Sequence, residues 1–225
     1  MVSPMIRTIR VCTILVLMLS LELLATGFTA PVKAGSDSPV IEWTTTYARM
    51  DRPRSVVQTS DGRYAVVGWT DSFGAGGWDF CLEKFDASGN RQWNRTYGGP
   101  NDEQANCLVE TDDGGYVIIG QTRVGDALPR PWLVKTDSNG IQQWNKTYGE
   151  FVYLLYSFSI VQTTDDGYLI VGPYTIKTDS LGNEEWNETH SGSSVVQVED
   201  GGYVILGESG NEAQLTKIDA YGNLE

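Results

Sequence analysis

Histidine occurs once in this chain, at His190, and cysteine three times. A single histidine excludes a histidine-rich zinc site, and no Cys-x-x-Cys pair supplies a thiolate one. No metal and no cofactor is therefore expected. There is also no nucleophile elbow and no Ser-His-Asp set, so no catalytic residue is assigned. Basic residues are scarce: 16 Lys and Arg stand against 29 Asp and Glu, a net charge of −13 at pH 7. Such a balance keeps a protein soluble and repels nucleic acid and anionic membrane surfaces, so neither is an expected partner.

Long apolar runs are missing too, except near the N-terminus. Arg7 and Arg10 precede an apolar stretch from Val11 to Leu21, and Val32 and Ala34 suit the −3 and −1 positions of a cleavage site. Residues 1–34 read as a secretory signal peptide. Glu22 interrupts the stretch before it reaches the ~20 residues of a membrane-spanning helix, so a retained anchor is the weaker alternative. The protein is expected to be secreted or held at the cell surface. Without residues 1–34, which carry Arg7, Arg10, Lys33 and Glu22, the net charge is −15. Cys12 leaves with them. Cys81 and Cys107 are then expected as two separate buried thiols, since two cysteines are not a disulfide framework. Residues 35–39 form a short linker.

What the chain has in abundance is repetition. Asp113-Gly114-Gly115 is followed by Tyr116-Val117-Ile118-Ile119-Gly120, and versions of this stretch recur at 61–68, 166–172 and 200–207. Asp-Gly is a turn, because glycine takes positive φ freely and aspartate bonds to its own turn. The β-branched run after it is a strand, apolar on both faces, which belongs in a sheet covered on both sides. A second apolar strand precedes each turn. A third follows and ends in Lys-x-Asp, at Lys84/Asp86, Lys135/Asp137, Lys177/Asp179 and Lys217/Asp219. Another tight turn leads to a fourth strand bearing Trp93, Trp144 or Trp186. With Trp43, these tryptophans recur at intervals of 50, 51 and 42 residues.

A four-stranded unit repeating every ~40–50 residues is the mark of a propeller blade. The Thr-x-Asp-Gly-Gly-Tyr, Leu-x-Lys-x-Asp and Trp-x-x-Thr-Tyr-Gly-Gly elements resemble the β-propeller repeats of secreted and surface proteins of archaea and bacteria. The resemblance spans about residues 40–225. It implies an all-β propeller of four four-stranded antiparallel repeats, and little about activity, because that family is functionally mixed.

Val40 to Tyr47 reads as a lone fourth strand, with Trp43 matching Trp93. The last copy stops one residue before its own tryptophan is due. A closed four-bladed ring follows if the N-terminal strand completes the final blade and leaves no open edge. The alternatives are a piece of a larger ring, or a half-ring completed by a second chain. Closure implies a monomer, and an open arrangement implies an oligomer. The third copy is irregular: four residues separate Gly172 from Lys177, against fifteen between Gly68 and Lys84. The apolar segment 151–158 is expected to fill the space this leaves, with an aromatic contact surface as the alternative.

Binding residues concentrate on variable loops held by a rigid scaffold. The long connections all fall at one end of the repeats, and their polar candidates are Asp51, Arg52, Arg54, Asp102, Glu103 and Gln104. The aspartates of the tight turns read as turn-closing residues. His190 replaces a repeated tyrosine and reads as a packing substitution. Asn94, Asn145 and Asn187 lie in repeated N-glycosylation sequons. The expected function is a non-catalytic module that binds or scaffolds an extracellular protein or glycan. One alternative is a glycan-processing enzyme with paired carboxylates on the long-loop face; another is a structural module of the cell envelope. Two buried carboxylates facing each other in a pocket would favour the enzyme, and clustered aromatics without such a pair would favour binding.

Overall fold

A computed structural model describes residues 41–47, 50–123, 125, 128–149 and 158–225. The expected signal peptide and linker, Val40 and segment 151–157 lie outside these. Among the described residues there are fifteen strands, and no helix is long and apolar enough to cross a membrane. The strands form four antiparallel sheets in chain order. The first holds β1 (Arg52–Gln58), β2 (Tyr64–Thr70), β3 (Asp79–Phe85) and β4 (Arg91–Tyr97). The second holds β5 (Asp102–Glu110), β6 (Tyr116–Arg123), β7 (Arg130–Thr136) and β8 (Gln142–Thr147). The third holds β9 (Ser159–Gln162), β10 (Tyr168–Val171), β11 (Thr175–Thr178) and β12 (Glu184–Glu188). The fourth has three strands, β13 (Ser194–Gln197), β14 (Tyr203–Ser209) and β15 (Glu212–Ile218).

The two-sided apolar pattern is used as two-sided packing. On β6, Tyr116 and Ile118 pack on Ala65, Val67 and Leu82 of the first sheet. Val117 and Ile119 pack the other way, on Ile160, Tyr168 and Ile170 of the third. A third core of the same kind joins Leu169 and Val171 to Val195, Tyr203 and Ile205. The first strands of neighbouring sheets approach one another, β1 with β5, β5 with β9 and β9 with β13.

The repeated tryptophans lock one sheet to the next. Trp93 lies over Gly140, Trp144 over Gly182 and Trp186 over Gly222. Each glycine has positive φ, and a Cβ would crowd the ring, at 3.1 Å on Gly222 and with no room at all on Gly182 (φ +73°), where it would sit 2.7 Å from Trp144. The tyrosine four residues on completes the lock, since Tyr97 and Tyr148 donate to the carbonyls of Gly140 and Gly182 at 2.8 Å. His190 fills the tyrosine position in the third copy, its Nε2 3.2 Å from the Gly222 carbonyl.

The lysines of the Lys-x-Asp motif have a role that the turn reading missed. Lys84, Lys135 and Lys177 are buried. Each reaches the aspartate of the Asp-Gly turn on the neighbouring hairpin: Lys84 to Asp61 at 3.5 Å, Lys135 to Asp113 at 2.8 Å and Lys177 to Asp165 at 2.8 Å. Lys217, half-buried, reaches Asp200 at 2.8 Å. The same aspartates also close their turns, as Asp113 does by accepting from Gly115 N–H at 2.9 Å. In the third copy the turn is Asp165-Asp166-Gly167, with Asp166 at φ 66° where the other copies have glycine. Asp86, Asp137, Asp179 and Asp219 close the second set of turns; Asp137 accepts from Ile141 N–H at 2.8 Å.

The N-terminal stretch departs from expectation. Residues 41–47 form no strand, and among the described residues β15 is met on its outer side only by residues 223–225, through the Ile218–Leu224 bridge and the Glu225 N–H donated to the Lys217 carbonyl at 3.2 Å. The last sheet is therefore not completed by Trp43. Instead Trp43 lies over Gly89 and meets Tyr64 edge-on at 5.7 Å, while Tyr47 donates to the Gly89 carbonyl. This is the same tryptophan–glycine–tyrosine lock, made against the first sheet. Contact between sheets, not a strand ladder, sets its place. Of the sequon asparagines, Asn145 and Asn187 are exposed and Asn94 is half-buried. Cys81 is a free buried thiol whose pKa burial pushes up to about 12, whereas Cys107, expected as a second free thiol, is disulfide-bonded.

Candidate binding site at the loop end

The antiparallel register puts the long connections of the first two sheets at one end, opposite the tight turns. Five of the six candidates meet there. Asp51 caps the loop after β2: its carboxylate accepts from the Thr70 hydroxyl at 2.6 Å, Asp71 N–H at 3.0 Å and the Ser72 hydroxyl at 3.1 Å. The Thr70 bond is the main reason its pKa is held below the usual range. Arg52 and Arg54 are exposed and lie over the Trp69 ring, 5.4 and 6.0 Å from its centroid. Trp69 packs on the half-buried Trp78 with centroids 4.7 Å apart. Asp102 accepts from Trp78 N–H at 3.2 Å, and Glu103 N–H donates to the Trp78 carbonyl at 2.6 Å. The second sheet thus holds the loop that carries Trp78. Gln104 stands at the margin, accepting from Gln121 within its own sheet at 3.1 Å.

Glu103 also belongs to a carboxylate pair. Its side chain accepts from the Thr122 hydroxyl at 2.8 Å and Gly99 N–H at 3.0 Å. Asp79 accepts from Ala75 N–H through Oδ2 at 3.0 Å, while its buried Oδ1 has no partner. That Oδ1 and Glu103 Oε2 would lie 2.0 and 2.5 Å from a Cβ built on Gly98, so both crowd one point. Burial pushes both pKa values up, and the Asp79 charge adds to the rise at Glu103. A raised carboxylate pKa favours the protonated form in the fold. The stability it contributes is present at low pH and lost as pH rises through the folded pKa. Asp79→Asn keeps the acceptor for Ala75 and can offer an amide N–H to Glu103. The variant is expected to gain about 1 kcal/mol at pH 8 and little at pH 4, read from thermal melts at the two pH values. A variant less stable than the parent at pH 8 would count against the pairing.

Asp79 and Glu103 are only 1% and 3% exposed, so this pair is sealed off rather than facing a pocket. Among the described residues no group of three or more His, Cys, Asp or Glu side chains is placed to hold a metal ion. Sequence reasoning missed Trp69, Trp78 and Asp79. Trp69 was hidden inside a strand pattern, although an aromatic one residue after the repeated glycine was a visible departure from Gln121 of the next copy. Asp79 and Glu103 are brought together only by the stacking of two sheets. Comparison with protein-family models and with curated proteins found no match.

Proposed function

We propose that the chain is a secreted or cell-surface β-propeller-type module that binds or scaffolds extracellular molecules without catalysis. Stacked sheets whose first strands converge support the reading of the sheets as blades. The acidic composition and the leader-like N-terminus support an extracellular setting. The binding reading rests on one observation above all: two exposed arginines lie over an aromatic base of Trp69 and Trp78 at the loop end. Guanidinium groups held this way pair with carboxylate or sulfate groups and leave flat faces for stacking. That chemistry suits an acidic extracellular glycan or protein segment. The sealed Asp79–Glu103 pair disfavours glycan cleavage, because a catalytic carboxylate must reach its substrate.

The test is a tryptophan-fluorescence titration with neutral and acidic oligosaccharides, alongside an assay for their hydrolysis. Saturable quenching by acidic sugars, lost at least ten-fold in Arg52→Ala/Arg54→Ala, is the expected result. No saturable binding would remove the reading. Hydrolysis abolished by Glu103→Gln would replace it with the enzyme alternative.

A further inference from the structure

Both end sheets of the stack show a face that their counterparts bury. On the first sheet, Val56 is 62% exposed, whereas Leu108 and Ile160 at the same repeat position are fully buried. Beside it lies an apolar cavity of about 430 Å³, walled by Trp43, Tyr47, Tyr64, Val66 and Phe85 among others. On the fourth sheet, Leu206 and Leu215 are 40% and 73% exposed, whereas Ile119 and Leu133 of the second sheet are fully buried. These two faces are not alike. The first sheet offers the face that each later sheet turns to the one before it. The fourth offers the face that each earlier sheet turns to the one after it.

We infer that the two faces join head to tail between copies of this chain. Three internal interfaces serve as the pattern, since each packs one face of the first kind on one of the second. The strand inventory points the same way. Among the described residues, the fourth sheet has three strands, and the outer edge of β15 is met only by residues 223–225, through the Ile218–Leu224 bridge and the Glu225 N–H donated to the Lys217 carbonyl at 3.2 Å. Over the first sheet, residues 41–47 already occupy the place from which the fourth strand of a preceding sheet makes its tryptophan–glycine lock. Stacking the fourth sheet of one copy on the first sheet of the next covers Val56 and Leu215 together. It also brings the 41–47 stretch to the outer edge of β15. A heterologous contact of this kind grows until it closes. Two copies bring eight sheets, within the usual 4–8 blades of a propeller.

Light scattering with size-exclusion chromatography tests this on the purified chain. Val56→Glu and Leu215→Glu each place a charge on one exposed face, where no buried packing is lost, and far-UV circular dichroism checks that each variant folds. The parent is expected at no less than twice the mass of one chain. Each variant alone is expected as a monomer. An equimolar mixture is expected to recover a one-to-one complex, because each variant keeps the face the other lacks. A monomeric parent at the highest soluble concentration would overturn the inference. So would dissociation by Val56→Glu but not by Leu215→Glu, which indicates contact between like faces, or failure of the mixture to associate. None of these results bears on ligand binding by Arg52 and Arg54, which lie at the loop end.

Discussion

Trp144→Ala is expected to cost about 3 kcal/mol, the low end for removal of a large aromatic from a packed position. At this chain length that lowers the melting temperature by ~10 °C. The ring bridges two sheets. It covers Gly182, where φ is +73° and a Cβ would lie 2.7 Å away, and it meets Tyr168 at 6.0 Å between centroids. Truncation therefore opens a cavity that glycine cannot fill and strips one side of a buried tyrosine. The same lock at the N-terminus offers an internal control. Trp43 is 43% exposed and its stretch belongs to no sheet, so Trp43→Ala is expected to cost no more than ~1 kcal/mol. Melting curves for the two variants decide the matter. A Trp144→Ala protein that melts with the parent would show that the locks do not hold the sheets together.

Much of this architecture was legible because the repeat is punctuated. Asp-Gly and Gly-Asn turns mark the hairpins, and a run apolar on both faces fits a sheet covered on both sides. The alternation of Tyr116 and Ile118 against Val117 and Ile119 could be written down before any coordinates, and it is how β6 packs. What could not be read is whatever depends on contacts between units. Residues 41–47 carry the tryptophan and tyrosine of a fourth strand, yet the pattern does not say whether the ladder or the neighbouring glycine positions them. The loop-end cluster was half legible. Asp51, Arg52 and Arg54 stood out as polar residues on a long connection, but Trp69 looked like strand, and the approach of Asp79 to Glu103 spans two sheets. Lysine in a buried strand was the most informative signal left unused. A charge repeated at one register in apolar surroundings implies a repeated counter-charge.

Asp113→Ala is expected to show what those counter-charges do. Lys135 is buried and donates to both oxygens of Asp113, at 2.8 and 3.0 Å, and to the Thr136 carbonyl at 2.8 Å. Removing the carboxylate leaves the ammonium with one neutral acceptor. Breaking a buried pair from one side costs 3–5 kcal/mol where no water can reach it. Asp113 itself is half-exposed, so solvent softens the loss, and ~2 kcal/mol is expected. Adding Lys135→Met should recover part of it, since the stranded charge is then gone. The pH dependence follows from the same contacts. The Thr59 hydroxyl leads in holding Asp61 below the usual carboxylate range, and the Lys217 bond leads at Asp200. At Asp113 and Asp165 burial pulls upward, but the lysine and threonine hydrogen bonds together outweigh it. A lowered pKa contributes stability above the unfolded carboxylate value of ~4, lost as pH falls through the folded pKa. All four copies titrate in that window, so their contribution is expected to be flat from pH 5 to 7, apart from the loss that the buried Asp79–Glu103 pair brings as pH rises, and the chain is expected to unfold cooperatively below pH ~4. Denaturant titrations across that range test both statements. Asp113→Ala should lower the plateau and also flatten the acid limb, because one of the groups that protonation would release is already missing. A plateau unchanged by the substitution would mean that Lys135 is neutralised by something other than Asp113.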